Sequence, residues 1–304
     1  MKAVRFAEFG AASTLRWEEV ERPVPAPGEV LVEVAGTSFN RVDAVIRGGE
    51  LRQVFGVALP HIPGIDVAGT VAALGPGVGG VGVGDPVVGL LPGLTGQGTA
   101  AEYVVVPAEV LTGAPKAVPL PDAAVLPAVG LTAWQAVFEH AEVLAGQRVL
   151  VTGAGGAVGG FAVQLAAQAG ATVVAATSTQ HVERLRGYGA AEVVERGSGG
   201  PAGEFDAVLN FAPGTPDDLA ALAARVRPGG VLITTTTDVP DGTGVRWLHM
   251  YVHSDAGQLA QLVDRIDAGR VHIHVAERVP LERLADVHAR HDAGELLGKI
   301  VAVV

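Results

Sequence analysis

The stretch Arg148-Val-Leu-Val-Thr-Gly153-Ala154-Gly155-Gly156-Ala157-Val158-Gly159-Gly160, continued by Phe161-Ala-Val-Gln-Leu-Ala166, reads as an apolar strand, a glycine turn and an amphipathic helix. Those residue types in that order suit a phosphate cradle. A glycine at 156 lets a pyrophosphate approach the backbone, a glycine at 159 lets the helix pack on the strand, and the helix start at Ala157 and Val158 offers N–H groups to phosphate oxygens. With Gly153 and Gly155 shaping the turn and a second apolar strand at Thr172 to Ala176, the pattern is a βαβ unit for a dinucleotide.

In such units an Asp or Glu about 20 residues past the glycines usually holds the ribose 2′-hydroxyl. Here the second strand ends Val173-Val174-Ala175-Ala176-Thr177-Ser178, with no acid. Thr177, Ser178, Thr179, His181 and Arg184 would instead give a 2′-phosphate hydroxyl and cationic partners, which favours NADP over NAD. The plain alternative is that His181 and Arg184 are ordinary solvated residues in the first turn of the next helix.

The chain of 304 residues, with 49% apolar and 17% charged residues, is long enough for two globular domains. A net charge of −11 opposes binding to nucleic acid or an anionic membrane surface. With no cysteine there is no disulfide, thiolate nucleophile or Cys-based zinc site. Charges in the opening residues, Met1 to Glu8, replace the apolar run of a secretory signal, so a cytoplasmic location is expected. The uncharged run Val149 to Gln180 is broken by glycines and glutamines, against a membrane span.

Short β segments separated by Pro/Gly turns fill the first part of the chain: Lys2 to Phe6, Glu29 to Gly36, Val67 to Leu74, Pro86 to Leu90 and Ala101 to Val106. Helical patterns alternating with apolar strands follow, at Arg148 to Thr152, Thr172 to Ala176, Glu192 to Val194, Ala207 to Phe211 and Val231 to Thr235. Val271 to Pro280 and Leu297 to Val304 return to β character. The expected fold class is α/β: a β domain from residues 1–120 and 268–304, and a doubly wound parallel-sheet Rossmann domain from 121–267.

Several further segments carry a family resemblance: Pro27-Gly28-Glu29-Val30-Leu31-Val32, Ser38-Phe39-Asn40-Arg41-Val42-Asp43, Pro60 to Gly69, Gly84-Asp85-Pro86-Val87, Gly130-Leu131-Thr132-Ala133 and Gly298-Lys299-Ile300-Val301. Together with the glycine turn they resemble the medium-chain dehydrogenase/reductase superfamily, and within it the zinc-free quinone oxidoreductase (zeta-crystallin-like) branch. The resemblance implies a GroES-like β domain, an active-site cleft at its junction with the Rossmann domain, and a homodimer joined through the Rossmann sheet edges near Val245 to Val252. It places Thr132 near the nicotinamide and aligns His181 with a phosphate-binding Lys; Arg196 would lie on the adenine side and Phe211 joins the cofactor contacts. Zinc-dependent relatives carry Cys at the place of Asn40 and Gly-His-Glu at the place of Gly64-Ile65-Asp66, so no metal is expected.

Without a Lewis acid, hydride donation to an acceptor that is already electrophilic is favoured over alcohol oxidation. The expected activity is NADPH-dependent reduction of a quinone or α,β-unsaturated carbonyl, with a biosynthetic enoyl reductase or a non-catalytic NADPH sensor as alternatives. Asn40 is the candidate to donate a hydrogen bond to the acceptor oxygen, against a turn-stabilising role. Asp43 either orders Asn40 or a water, or caps a helix over Asp43 to Gly48. Asp66, in an apolar run, needs a partner or a raised pKa. Trp247, His249, Tyr251 and His253 alternate at strand spacing, as a pocket lining or an edge strand; His272 and His274 alternate without a third metal ligand.

Overall fold

The computed structural model describes residues 1–52, 56–93, 97–195 and 203–304. The chain forms two compact units, Met1–Ala128 with Ser254–Val304, and Val129–His253. The second boundary differs from the one near residue 267 read from sequence texture. Helix Ala256–Asp267 belongs with the first unit, where it buries Leu259, Leu262 and Ile266 and packs on the strand Leu111–Gly113. Its Asp267 carboxylate also accepts the backbone N–H groups of Lys116 (2.7 Å) and Ala117 (2.9 Å).

The first unit is built on a seven-stranded sheet ordered Glu277–Pro280, Ile300–Val303, Glu29–Ser38, Asp66–Leu74, Pro86–Leu90, Leu111–Gly113, with Tyr103–Pro107 also pairing to Glu29–Ser38. Its pairings are antiparallel apart from Glu277–Pro280 with Ile300–Val303. Val301 lies opposite Ser38, so the C-terminal strand joins the sheet begun by the N-terminal segment. Strand alternation puts Val30, Val32 and Val34 in one core with Val67, Val71, Val87, Val104 and Val106. Strand Arg16–Glu19, which pairs with Lys2–Arg5, escaped the sequence reading because its Arg-Trp-Glu-Glu composition lacks the apolar, β-branched signal.

The second unit holds a six-stranded, wholly parallel sheet: Glu192–Glu195, Thr172–Thr177, Arg148–Thr152, Phe205–Asn210, Val226–Thr234, Arg246–His249. In chain order this is 3-2-1-4-5-6, the doubly wound Rossmann arrangement, whose order reverses beside the first strand. The buried runs Val149 to Val151, Val173 to Ala175, Ala207 to Leu209 and Val231 to Ile233 are apolar without alternation because both faces of such a sheet are covered. Val149 to Gln180 is therefore strand, turn, helix and strand; among the described residues no helix is long and apolar enough to cross a membrane.

The alternation of Trp247, His249, Tyr251 and His253 does not carry through, because the edge strand stops at His249. The Tyr251 ring stacks on His249 at 4.9 Å, and His249 pairs through Nδ1 with Asp238.

His288, on helix Leu284–Asp292, is wholly buried edge-on against Phe39, with ring centroids 4.8 Å apart. Neither ring nitrogen has a hydrogen-bond partner among the described residues. Burial, aided by the Arg47 charge, lowers its pKa to about 3, so the fold holds the ring neutral where the unfolded chain protonates it below about 6.5. The stability contributed by that neutral ring is present above about pH 6.5 and is lost as pH falls toward 3. His288→Leu is expected to raise Tm more at about pH 5 than at about pH 8; an equal shift at both, in melts of the two proteins, would contradict this account.

Candidate active site

In the second unit, strand Arg148–Thr152 runs into Gly153, whose φ of +67° makes the sharp turn, and helix Ala157–Gln168 begins four residues later. Gly156 caps that helix without a side chain, so the first-turn N–H groups, which have no acceptor within the helix, face outward. A Cβ at Gly155 would run into the His181 ring and the Thr177 hydroxyl, and one at Gly159 into the Gly153 carbonyl and Ala154. One at Gly156 would meet only the Gly153 carbonyl, at 3.2 Å, so this side of the turn stays open to a ligand. The cradle fits a dinucleotide pyrophosphate.

The ends of the neighbouring strands are tied by a polar knot that sequence reasoning missed. Buried Asn210 accepts from Thr152 Oγ1 and donates through Nδ2 to the Ala212 carbonyl (3.1 Å), Thr234 Oγ1 (3.2 Å) and Thr236 Oγ1 (3.1 Å). It fixes the carboxyl ends of three strands at the point where strand order reverses, the place a doubly wound sheet binds its ligand. Phe211 contributes backbone here: its N–H donates to the Thr152 carbonyl at 3.2 Å and its carbonyl abuts Gly153. Thr132 lies half-buried in helix Leu126–Trp134.

Past the second strand, Ser178 and Thr179 are exposed, while His181 and Arg184 are half-buried. Arg184 donates to the Gly155 carbonyl at 2.6 Å and lies 3.3 Å from His181 Nδ1; its buried Nε has no partner among the described residues. Burial, then the Arg184 charge, lowers the His181 pKa, so this imidazole is neutral. Arg196 lies outside the described residues.

In the first unit, Asn40 sits at the start of helix Arg41–Gly48. Its Nδ2 donates to Asp66 Oδ2 (2.8 Å) and to the Ser38 carbonyl (3.2 Å), and its Oδ1 accepts from Lys299 Nζ (2.5 Å). Both amide hydrogens are thus committed within the chain, which differs from the free donor expected for an acceptor oxygen. Fully buried Asp66 also accepts from Ser38 Oγ and the Ala128 N–H (2.6 Å), with Lys299 Nζ 3.6 Å from Oδ2. Burial pushes the Lys299 pKa down, opposed by Asp66 and Asp43. Lys299 is the network's cation, and it stood in the sequence only within a family motif.

Asp43 accepts the N–H groups of Asn40 (2.8 Å) and Gly64 (3.1 Å), so it caps the helix and orders Asn40's backbone together. It lines a small pocket of about 40 Å³ with Ile46, His61, Gly64, Ile65 and Leu91. His61, against the Phe6 ring at 5.3 Å, is held neutral by burial, which lowers its pKa to about 4. Burial raises Asp43 to about 7, despite the N–H groups and Lys299 that favour its charged form.

The description of an alcohol dehydrogenase GroES-like domain matches residues 26–116, and that of a zinc-binding dehydrogenase matches residues 169–302. With these domains, this site and the relatives below, the chain belongs to the quinone oxidoreductase branch of the medium-chain dehydrogenase/reductase superfamily. It is 31% identical to the chloroplast envelope quinone oxidoreductase homolog of Arabidopsis thaliana, over 99% of this chain and 98% of that one. It is 30% identical to a chloroplastic NADPH-dependent alkenal/one oxidoreductase of the same plant, over 99% of this chain and 79% of the relative. The solved quinone oxidoreductase of Coxiella burnetii matches with a TM-score of 0.90 at 26% identity, covering 100% of this chain and 99% of that one. Zinc does not fit the residues present. Asp66 is saturated by donors, Asn40 and Ile65 replace the expected ligands, and no group of three or more His, Asp or Glu among the described residues could hold a metal ion.

An acid with a raised pKa takes up a proton on folding, so the Asp43 contribution is fully present below about pH 4 and is lost as pH rises through about 7. Wild-type stability relative to Asp43→Asn is expected to fall between about pH 5 and about pH 8. Paired chemical denaturation at several pH values measures it, and a constant difference would mean Asp43 is ionised throughout.

Proposed function

We propose that this protein is an NADPH-dependent, zinc-independent reductase that passes hydride to a quinone or an α,β-unsaturated carbonyl, and that it works as a homodimer. The observation that carries this reading is the crowding at Gly155 and Gly159 beside an open Gly156, a cradle that only a glycine turn permits. The first-turn N–H groups of Ala157, Val158 and Gly159 would hold the pyrophosphate. Thr177, Ser178, His181 and Arg184 would meet the adenosine 2′ position, with Thr132 and Phe211 toward the nicotinamide. When bound, the dinucleotide supplies the hydride; the chain orients it and excludes water.

Support for the acceptor class comes from the relatives, which are named for quinone and for alkenal/one reduction, and from the pocket beside Asp43. Asn40 and Asp43 act there as positioning residues that hold the pocket wall, since their polar atoms are engaged with the chain. The edge strand Arg246–His249, with Leu248 exposed, is the surface proposed for pairing with a second copy.

Titration with NADPH, followed by a scan of quinones and enones for loss of reduced-nicotinamide absorbance, tests the proposal; binding without turnover of any acceptor would reduce it to a nucleotide sensor. Gly155→Ala is expected to weaken dinucleotide binding by roughly tenfold or more, ~1.4 kcal/mol. Gly187→Ala, whose Cβ would meet nothing within 4 Å, is expected to leave it unchanged. Equal affinities for the two variants would remove the cradle from the account.

A further inference from the structure

The glycine turn is held in shape by a side chain from outside it. The peptide between Gly155 and Gly156 is trans, so its carbonyl and its N–H point to opposite sides of one plane. On one side the Gly156 N–H donates to the Gly153 carbonyl at 2.9 Å; on the other the Gly155 carbonyl accepts from Arg184 Nη2 at 2.6 Å, across 29 positions of chain. Rotating this plane changes only ψ of Gly155 and φ of Gly156, and neither residue has the Cβ that restricts such a rotation elsewhere. Crowding by His181 and Thr177 demands a glycine at 155, and that glycine leaves the orientation of the plane to its hydrogen bonds.

Arg184 is placed for this task. It lies half-buried on helix Val182–Gly187, one turn after His181, whose ring fills the space beside Gly155. A guanidinium bond to a carbonyl is charge-assisted, and so stronger than the neutral N–H bond on the other side of the plane. The side-on fork of Nε with Nη2 is the arrangement by which an arginine grips a phosphate with two bonds. Here Nη2 is given to the Gly155 carbonyl and Nε is buried, so that fork is turned toward the turn.

We propose that Arg184 is a positioning residue for the pyrophosphate: it fixes the peptide between Gly155 and Gly156 in the orientation that keeps the cradle formed. This rests on the reading of the glycine turn as a dinucleotide site, and it adds to the place of Arg184 near the adenosine 2′ position a task that NAD and NADP need alike. Without the guanidinium the plane samples other orientations, and the affinity for either dinucleotide falls with the fraction of molecules in which the cradle is formed.

The test is calorimetric titration of the full chain with NAD⁺ and with NADP⁺, for wild type, Arg184→Met and Arg184→Lys. NAD⁺ has no 2′-phosphate, so an arginine that only gripped that group would leave its affinity untouched. Arg184→Met, which keeps the apolar reach of the side chain but has no donor, is expected to weaken NAD⁺ roughly fivefold or more, and NADP⁺ by at least as much. Arg184→Lys still carries a donor for the carbonyl and recovers part of the NAD⁺ affinity, a rescue that a packing defect alone would not give. Equal NAD⁺ affinities for wild type and Arg184→Met overturn the assignment although the dinucleotide site stands, and so does a lysine variant that binds NAD⁺ no better than the methionine variant. If wild type binds neither nucleotide, the reading of the glycine turn falls and this assignment falls with it.

Discussion

The first unit is organised around a charge that cannot reach water. Asp66 has no exposed surface, and it stays in place because Ser38, Asn40, the Ala128 backbone and Lys299 all turn donors toward it. Those groups come from one sheet strand, a helix start, the Leu126–Trp134 helix and the segment entering the C-terminal strand. Removing one partner of a buried pair leaves a charge uncompensated, at a cost of about 3–5 kcal/mol. The helix start that carries Asn40 and the pocket-lining Asp43 is therefore tied to the closure of the sheet by the chain's last strand: Lys299 Nζ also donates to the Phe39 carbonyl at 2.9 Å, fastening that strand beside the helix start.

How far this was legible follows from the range of each interaction. The phosphate cradle is local: the glycines, the strand before them and the helix after them lie in about 20 residues of chain, and periodicity exposes all three. That the second unit is a doubly wound parallel sheet followed from alternating strands and helices, since parallel neighbours need crossover connections; its order 3-2-1-4-5-6 came from the structure. The polar networks were not legible. Lys299 meets Asn40 across 259 positions, and no pattern in either segment identifies the other. Asp66 alone announced itself, as a carboxylate in an apolar run that had to find partners. Helix Ala256–Asp267 was assigned to the wrong side of a boundary for a related reason: texture records that a segment is helical, whereas its unit depends on which surface receives its apolar face.

The acid rule for nucleotide choice is a rule about one strand. A sheet is two-dimensional, and the end of a parallel strand has neighbours level with it from other parts of the chain. Thr179 and Glu195 lie 16 positions apart, yet the register makes them adjacent. Sequence distance hides such pairs in every parallel sheet.

The same reasoning limits what Asn40 can do. A carboxylate binds an N–H roughly twice as strongly as a neutral oxygen does. Lys299, by donating to Asn40 Oδ1, polarises the amide further toward Asp66, so the chain Lys299, Asn40, Asp66 is stronger than its separate bonds. A carbonyl oxygen entering the pocket cannot compete for those hydrogens. The described lining of the pocket holds instead a neutral imidazole at His61 and the Asp43 carboxyl, which ionises at about 7. Among the described residues this lining has no positively charged side chain, so it offers nothing to replace the hydration of a carboxylate or a phosphate ester and favours an uncharged molecule. The acceptor class proposed above, uncharged and already electrophilic, is of that kind.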